Sequence, residues 1–190
     1  MTSILFVSAT REEAAHLPEG ADLLITGIGT MAATMHLTRE LSRRSELPGR
    51  ILNIGTAGAL RDGMGGVYEV EHAFKHDFNS ELIAEMTGRP CPNGIDLELS
   101  THLPAARLAT GDSFISDSAT RNRLATRASL CDMEGVAVVG VAKHFGVPVT
   151  LLKQVSDSAD ENAATTWYDA VDAGARQLVT ALEELDLLRV

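Results

Sequence analysis

The residues best placed to do chemistry lie in two short segments. The first is Asp132-Met133-Glu134-Gly135. The second, about twenty residues later, is Val155-Ser156-Asp157-Ser158-Ala159-Asp160. Between them runs an apolar helix-then-strand pattern, Val136 to Phe145 followed by Val147 to Leu152. That layout delivers two carboxylates, Glu134 and Asp157, to the ends of neighbouring elements. One can grip a substrate while the other moves a proton, the division of labour of a general acid–base site. A third acidic group, Glu12-Glu13, follows the first apolar run.

The elements that must hold these groups read as alternating strands and helices. Ile4 to Val7 is a continuous β-rich apolar run, the signature of a strand buried on both faces. A short helix is expected over 10–17, with Thr10 as N-cap and Glu13 in its first turn. Asp22 to Ile25 reads as a second strand, Met31 to Arg44 as a long helix, and Arg50 to Ile54 as a third strand. That strand is expected to end in a glycine-rich turn, Gly55-Thr56-Ala57-Gly58.

Val67 to Phe74 and Leu108 to Thr110 follow as strands. Ser118 to Arg127 and Val136 to Phe145 are helices, Val149 to Val155 a strand, and Thr165 to Leu185 a last long helix. From Asn79 to Leu103 the pattern weakens around Pro90, Pro92 and Asn93-Gly94, so loops with a short strand or helical turn are expected. The fold predicted is a single α/β domain over residues 1–190, three-layered α/β/α, with a central mixed, mostly parallel sheet.

Composition narrows the function classes. The chain has 190 residues, 45% hydrophobic and only 4% aromatic, enough for a sizeable core. A net charge of −10 argues against a nucleic-acid partner, which needs a basic surface. Cys91 and Cys131 stand in no metal-ligand spacing, and the chain shows neither a signal segment nor a membrane-length apolar run. A cytoplasmic protein without a metal site or membrane partner is expected.

Three glycine-punctuated strand ends suit a small-molecule site. Gly27-Ile28-Gly29-Thr30-Met31-Ala32 fits a dinucleotide fingerprint, but no carboxylate closes the following strand to hold a ribose. It reads better as a tight turn that lets a ligand approach the main chain. Asn53 to Leu60 places small residues and the Thr56 hydroxyl at a strand's carboxyl end. Ala109 to Ile115 ends in Phe114, a side chain that either joins the core or stacks on a planar heterocycle.

Together these segments resemble the nucleoside phosphorylase/nucleosidase superfamily, and within it the 5′-methylthioadenosine/S-adenosylhomocysteine nucleosidases. Ser8 to Glu13 is similar to the family's G-A-M-x-E-E opening, and Thr26 to Gly29 to its S-G-I-G turn. Asn53 to Leu60 resembles N-T-G-S-A-G-G-L, and Ala109 to Ile115 resembles A-S-G-D-x-F-I. Asp132 to Glu134 resembles E-M-E, and Ser156 to Asp160 resembles S-D-x-A-D. His76-Asp77-Phe78 echoes a further family segment, a histidine more often found as scaffold.

The resemblance implies cleavage of a purine N-glycosidic bond without metal or organic cofactor. Asp157, positioned by Ser156, would protonate the leaving base, and Glu13 would activate a water. Glu134 and Met133 would hold the ribose, with Phe114 and Ile115 on the base. Thr56, Gly58 and Asn53 would line the site. The residues alone leave two points open: Glu12 is close enough in register to compete with Glu13, and either could simply favour a helix N-terminus. Asp157 likewise could cap a turn, and Asp132 reads as structural or solvent-facing.

Phosphorylases of the superfamily use phosphate instead of water and need arginines to bind it. Asn53 stands where one such arginine usually lies, and the G-D-P-x-R loop is missing; only Arg11 keeps phosphate in play. Hydrolysis is therefore expected, with a phosphate-dependent phosphorylase as the alternative. The segment before Thr26 is compressed relative to the family. Residues 79–105 are also short, where the family shapes the 5′-substituent pocket partly from a second subunit of a homodimer. Futalosine-type nucleosides thus stand beside methylthioadenosine as candidate substrates.

Overall fold

The computed structural model describes residues 3–188, apart from the side chains at 166, 168 and 169. In chain order the elements are β1 (Ile4–Ser8), β2 (Leu23–Ile25), α1 (Thr30–Arg43), β3 (Arg50–Ala59) and β4 (Val67–Lys75). There follow α2 (Ser80–Thr87), β5 (Ile95–Asp96), β6 (Ala105–Thr110) and α3 (Ser118–Leu124). Last come β7 (Leu130–Asp132), α4 (Gly135–Phe145), β8 (Val149–Asp157) and α5 (Ala163–Glu184). The strands form one mixed sheet in the order β2-β1-β3-β7-β6-β4-β5, with β8 pairing both β3 and β4.

Alternation along the strands divides the core between two helical layers. Leu5, Val7 and Ile51 pack in one cluster with Leu37 and Leu41 of α1 and Val138 of α4. Phe6 and Leu52 fall in another, with Leu178 and Leu182 of α5. Each fully buried leucine contributes about 1.5–3 kcal/mol, so a strand covered on both faces anchors firmly at its centre. The five strand pairs β1–β2, β1–β3, β3–β8, β4–β6 and β6–β7 are parallel, and β3–β7, β4–β5 and β4–β8 antiparallel. The mixed, mostly parallel α/β sheet is as expected from the sequence.

The pairings also close a ring, β3-β8-β4-β6-β7 and back to β3, which the alternation of elements does not disclose. Closure gathers the carboxyl ends of β3, β7 and β8 at one place. Gly58 pairs with Cys131 on one side and Asp157 on the other, next to a register shift between Ala57 and Gly58.

Two local expectations are corrected. Residues 10–17 form consecutive turns rather than a helix, through bonds such as Ala14 N to Arg11 O at 3.2 Å and Leu17 N to Ala14 O at 3.1 Å. The segment is short, and Pro18 biases Leu17 away from helical backbone. Its start is nonetheless capped: Glu13 N donates to Thr10 Oγ1 and Thr10 N donates to Glu13 Oε2, a reciprocal capping box. The second correction is that Gly55 to Gly58 is no turn but the last half of the ten-residue strand β3. Partners on both edges, β8 and then β7, keep it extended.

The weakly patterned stretch resolves into α2, capped by the Asn79 side chain and ended by left-handed Gly88, and the two-residue β5. Buried Glu69 fastens the loop beyond, accepting from the amides and hydroxyls of Ser100 and Thr101.

Candidate active site

A cavity of about 170 Å³ opens where β3, β7 and β8 end. Gly58 and Cys131 belong to its lining, which also carries four carboxyl groups: Glu13, Asp132, Glu134 and Asp157. Strand geometry brings them together. Thr56 and Gly58 lie two residues apart on β3 and so face the same way, β8 delivers Ser156 and Asp157, and β7 leads into Asp132.

The four carboxyl groups sit in different surroundings. Glu13 is buried and accepts throughout. Its Oε1 takes the Thr56 amide at 2.8 Å and the Thr56 hydroxyl at 2.7 Å, while Oε2 takes longer bonds, 3.2–3.4 Å, from Thr10 and Ser8. Asp132 bonds to Lys153 Nζ at 2.9 Å, Thr110 Oγ1 at 2.6 Å and the Gly135 amide at 2.8 Å. It therefore caps α4 while neutralising a lysine that is itself only 2% exposed. Burial works against the Lys153 ammonium, but the carboxylates of Asp132 and Glu134 more than offset this and hold it above the ordinary lysine value.

Glu134 and Asp157 are shifted the other way. Burial, followed by the neighbouring charge of Asp132, pushes the Glu134 carboxyl up to about 7, against the pull of Lys153 and the Gly29 amide. That amide donates to Glu134 Oε1 at 2.7 Å. Burial also raises the Asp157 carboxyl above the usual aspartate value, although the Ser156 hydroxyl and the Ala159 amide, both at 2.8 Å, favour its ionised form. Burial next to Asp157 lifts the Cys131 thiol to about 12, so it stays neutral.

Of the residues singled out from the sequence, Glu13, Thr56, Gly58, Phe114, Ile115, Met133, Glu134, Ser156 and Asp157 all line this cavity. Phe114 keeps 45% of its surface exposed, so its ring is free to meet a ligand rather than filling the core. Glu13 faces inward while Glu12 is exposed, and Arg11 is exposed outside the lining.

Asn53 does not line the cavity. Its Nδ2 donates to the Val7 carbonyl at 3.0 Å, tying β3 to β1. His76 is outside the lining too. Asp132, read as structural or solvent-facing, is structural and buried.

Two residues escaped the sequence reading. Lys153 stands with Gln154 inside the otherwise apolar strand segment Leu151 to Val155, and a lysine there signals a buried, paired charge. Trp167 is the only tryptophan of the chain; it lines the cavity from α5, and its Nε1 donates to Thr56 Oγ1 at 2.8 Å.

A family model described as the phosphorylase superfamily matches residues 22–190. The chain belongs to that superfamily. Within it, the protein is similar to the 5′-methylthioadenosine/S-adenosylhomocysteine nucleosidase of Shewanella baltica strain OS185, 27% identical over 196 aligned residues that cover 88% of this chain and 81% of the relative. Among solved structures of the same fold is a mutant 5′-methylthioadenosine/S-adenosylhomocysteine nucleosidase of Helicobacter pylori with 5′-methylthioadenosine in its active site. The TM-score is 0.80 at 20% identity, covering 97% of this chain and 99% of that one. A mutant futalosine hydrolase from Helicobacter pylori strain 26695 superposes equally well, with a TM-score of 0.81 at 20% identity, over 96% and 97% of the two chains. Glu13 precedes the stretch matched by the superfamily model, so its place in the site rests on the geometry above.

Proposed function

We propose that this protein hydrolyses the N-glycosidic bond of a purine nucleoside, with water as the nucleophile. The observation that carries the reading is the lining of the cavity, which among the described residues has four carboxyl groups and no lysine or arginine. A phosphate nucleophile needs cationic ligands, and buried Lys153, outside the lining, already pairs with Asp132. The Shewanella and Helicobacter relatives that bear nucleosidase or hydrolase names support the same choice.

The chemistry follows from the proton positions. Bond breaking leaves an oxocarbenium-like sugar and an anionic base. Asp157, whose burial favours the protonated form, donates to the purine N7 and improves the leaving group. Phe114 stacks on the base beside the Ile115 backbone. Glu134 accepts from the ribose hydroxyls, and Met133 packs on the sugar. Glu13 keeps Oε1 fixed on Thr56, and its more loosely held Oε2 orients the water and takes its proton.

The proposal extends to a homodimer acting in the cytoplasm on 5′-methylthioadenosine- or S-adenosylhomocysteine-like nucleosides. Ile28, Met31 and Met35 make an exposed apolar stripe that starts at the cavity mouth and continues along α1, the kind of face a second copy covers. No helix among the described residues is long and apolar enough to cross a membrane.

Purine release decides the matter. A panel of 5′-methylthioadenosine, S-adenosylhomocysteine and futalosine, each with and without phosphate, should give free base and free sugar without phosphate. Strict phosphate dependence with a sugar-1-phosphate product would overturn the hydrolytic reading.

A further inference from the structure

We propose that Trp167 is a positioning residue for Glu13: its indole N–H steadies the Thr56 hydroxyl that donates to the carboxylate and couples the seating of α5 to the group that handles water. The role given to Glu13 rests on the nucleosidase reading above; the hydrogen-bond relay does not.

The direction of the relay is set by elementary donor counting. An indole nitrogen only donates, and a threonine hydroxyl has one proton and two acceptor sites. Trp167 Nε1 lies 2.8 Å from Thr56 Oγ1, which lies 2.7 Å from Glu13 Oε1. By donating to the hydroxyl, the indole occupies one of its two acceptor sites, and the hydroxyl's single proton goes to Glu13. The Thr56 amide reaches the same oxygen at 2.8 Å. Oε1 is thereby held by two short bonds, while Oε2 has only the longer ones, 3.2–3.4 Å, from Thr10 and Ser8 and is the oxygen that can yield one to a water. A phenylalanine at position 167 would preserve the ring but remove the donor that steadies the hydroxyl, while the carboxylate, which only accepts, would still take the Thr56 proton.

The placement of Trp167 in the chain gives the relay a second consequence. Asp157 ends β8, and Trp167 sits in the first turns of α5 after one short connection, so both sides of the acid–base pair depend on how that connection is seated. Glu161 fastens it to the start of α3, accepting from the Ser118 amide at 3.0 Å and hydroxyl at 2.8 Å. His16 Nε2 and Asp172 Oδ1, 2.7 Å apart, tie α5 to the turns that carry Glu13. The helix is thus held to the base-bearing segment both inside the cavity, through the indole, and outside it.

The test combines a signal from the indole with a mutant cycle. The single tryptophan gives one indole N–H resonance. In the intact protein that resonance should be shifted downfield and slow to exchange, and Thr56→Val should move it upfield and speed its exchange. Trp167→Phe should lower kcat about 2- to 13-fold, the range for losing one hydrogen bond, with KM changed less than twofold. Thr56→Ser, which keeps the hydroxyl, should retain the indole signal and most of kcat. In a Thr56→Val background the Trp167→Phe change should cost nothing further.

An indole resonance indifferent to Thr56→Val, or penalties that multiply in the double variant, would overturn the relay. A change confined to KM would make Trp167 a packing residue only. If the wild type releases base from no nucleoside of the panel, the nucleosidase reading fails, and the relay is then decided by the indole signal alone.

Discussion

Replacing Glu134 by glutamine should make the protein more stable relative to wild type as the pH rises. The carboxyl is buried, and its protonation lies near 7 rather than at the ordinary glutamate value of 4.5, because burial and Asp132 disfavour the charge. Below pH 4.5 the group is protonated in both folded and unfolded chains. Between 4.5 and 7 the unfolded chain gives up the proton while the folded one keeps it, so wild-type stability falls as pH rises through that window. A displacement of about 2.5 units at roughly 1.36 kcal/mol each is a total of about 3 kcal/mol, of which about 2.5 kcal/mol falls between pH 5 and pH 8.

Glutamine never ionises, yet its amide oxygen still accepts from the Gly29 amide that Glu134 Oε1 now holds at 2.7 Å. Other titrating groups are common to both proteins and largely cancel in the difference. Urea unfolding of the two proteins at pH 5 and pH 8, at matched ionic strength, measures the effect. A stability difference constant to within about 0.5 kcal/mol across that range would refute the assignment of a raised carboxyl here. The same ionisation should appear in binding. Both ribose hydroxyls need an acceptor, so nucleoside affinity should strengthen as the pH rises through about 7, and the glutamine variant should lose that dependence.

Asp157→Asn should lower kcat by roughly 10²–10⁴-fold while nucleoside binding persists, the scale of a lost general acid; comparing kcat with a directly measured Kd checks it, and near-normal turnover removes Asp157 from its role. Lys153→Met strips the buried partner from Asp132 and should destabilise the fold by about 3–5 kcal/mol, with part of the loss recovered on adding Asp132→Asn; thermal unfolding of both variants gives the comparison. Gly58→Ala would place a methyl 3.0 Å from Asp157 Oδ1 and 3.1 Å from both Cys131 Sγ and Ala159 Cβ. It should depress kcat more than it raises KM in steady-state assays, and an unchanged kcat would mean that the lining of the cavity yields without moving the acid.

The sheet and most of the site were legible because their signals are local. Ile4 to Val7 and Val149 to Val155 read as buried strands from composition alone, and both extend further in the structure, to Ser8 and Asp157. Asp157, Glu134 and Phe114 announced themselves at strand or helix ends, where an α/β sheet opens its crevices. Apart from the short segment before Pro18, what failed depends on a partner distant in the chain. Gly55 to Gly58 looked like a turn because small residues favour turns, but pairing with Cys131 and Asp157 holds it as strand. Asn53 looked like a site residue by position in a motif, yet pairing of β3 with β1 turns its amide toward Val7. Trp167 gave no signal beyond its rarity, since only the return of α5 over β3 and β8 brings it to Thr56.

The four acidic residues of the cavity stand in unlike surroundings. Four carboxyl groups line it, and the buried cation beside them is Lys153, fully engaged by Asp132. Leaving all four charged in a poorly solvated space would be costly, and the surroundings show where protons are retained. Asp132 has the ammonium, a hydroxyl and an amide; Glu13 has two amides and three hydroxyls. Those two are the better supplied with donors. Asp157 has fewer donors than Glu13, and Glu134 has the Gly29 amide and an unfavourable neighbour in Asp132, so the protons fall to them. A site meant to push a proton onto a departing base while drawing one from water needs carboxyls of both kinds within one cavity. Burial, shared by all four, raises Glu134 and Asp157, and those are the two with the fewest donors to oppose it.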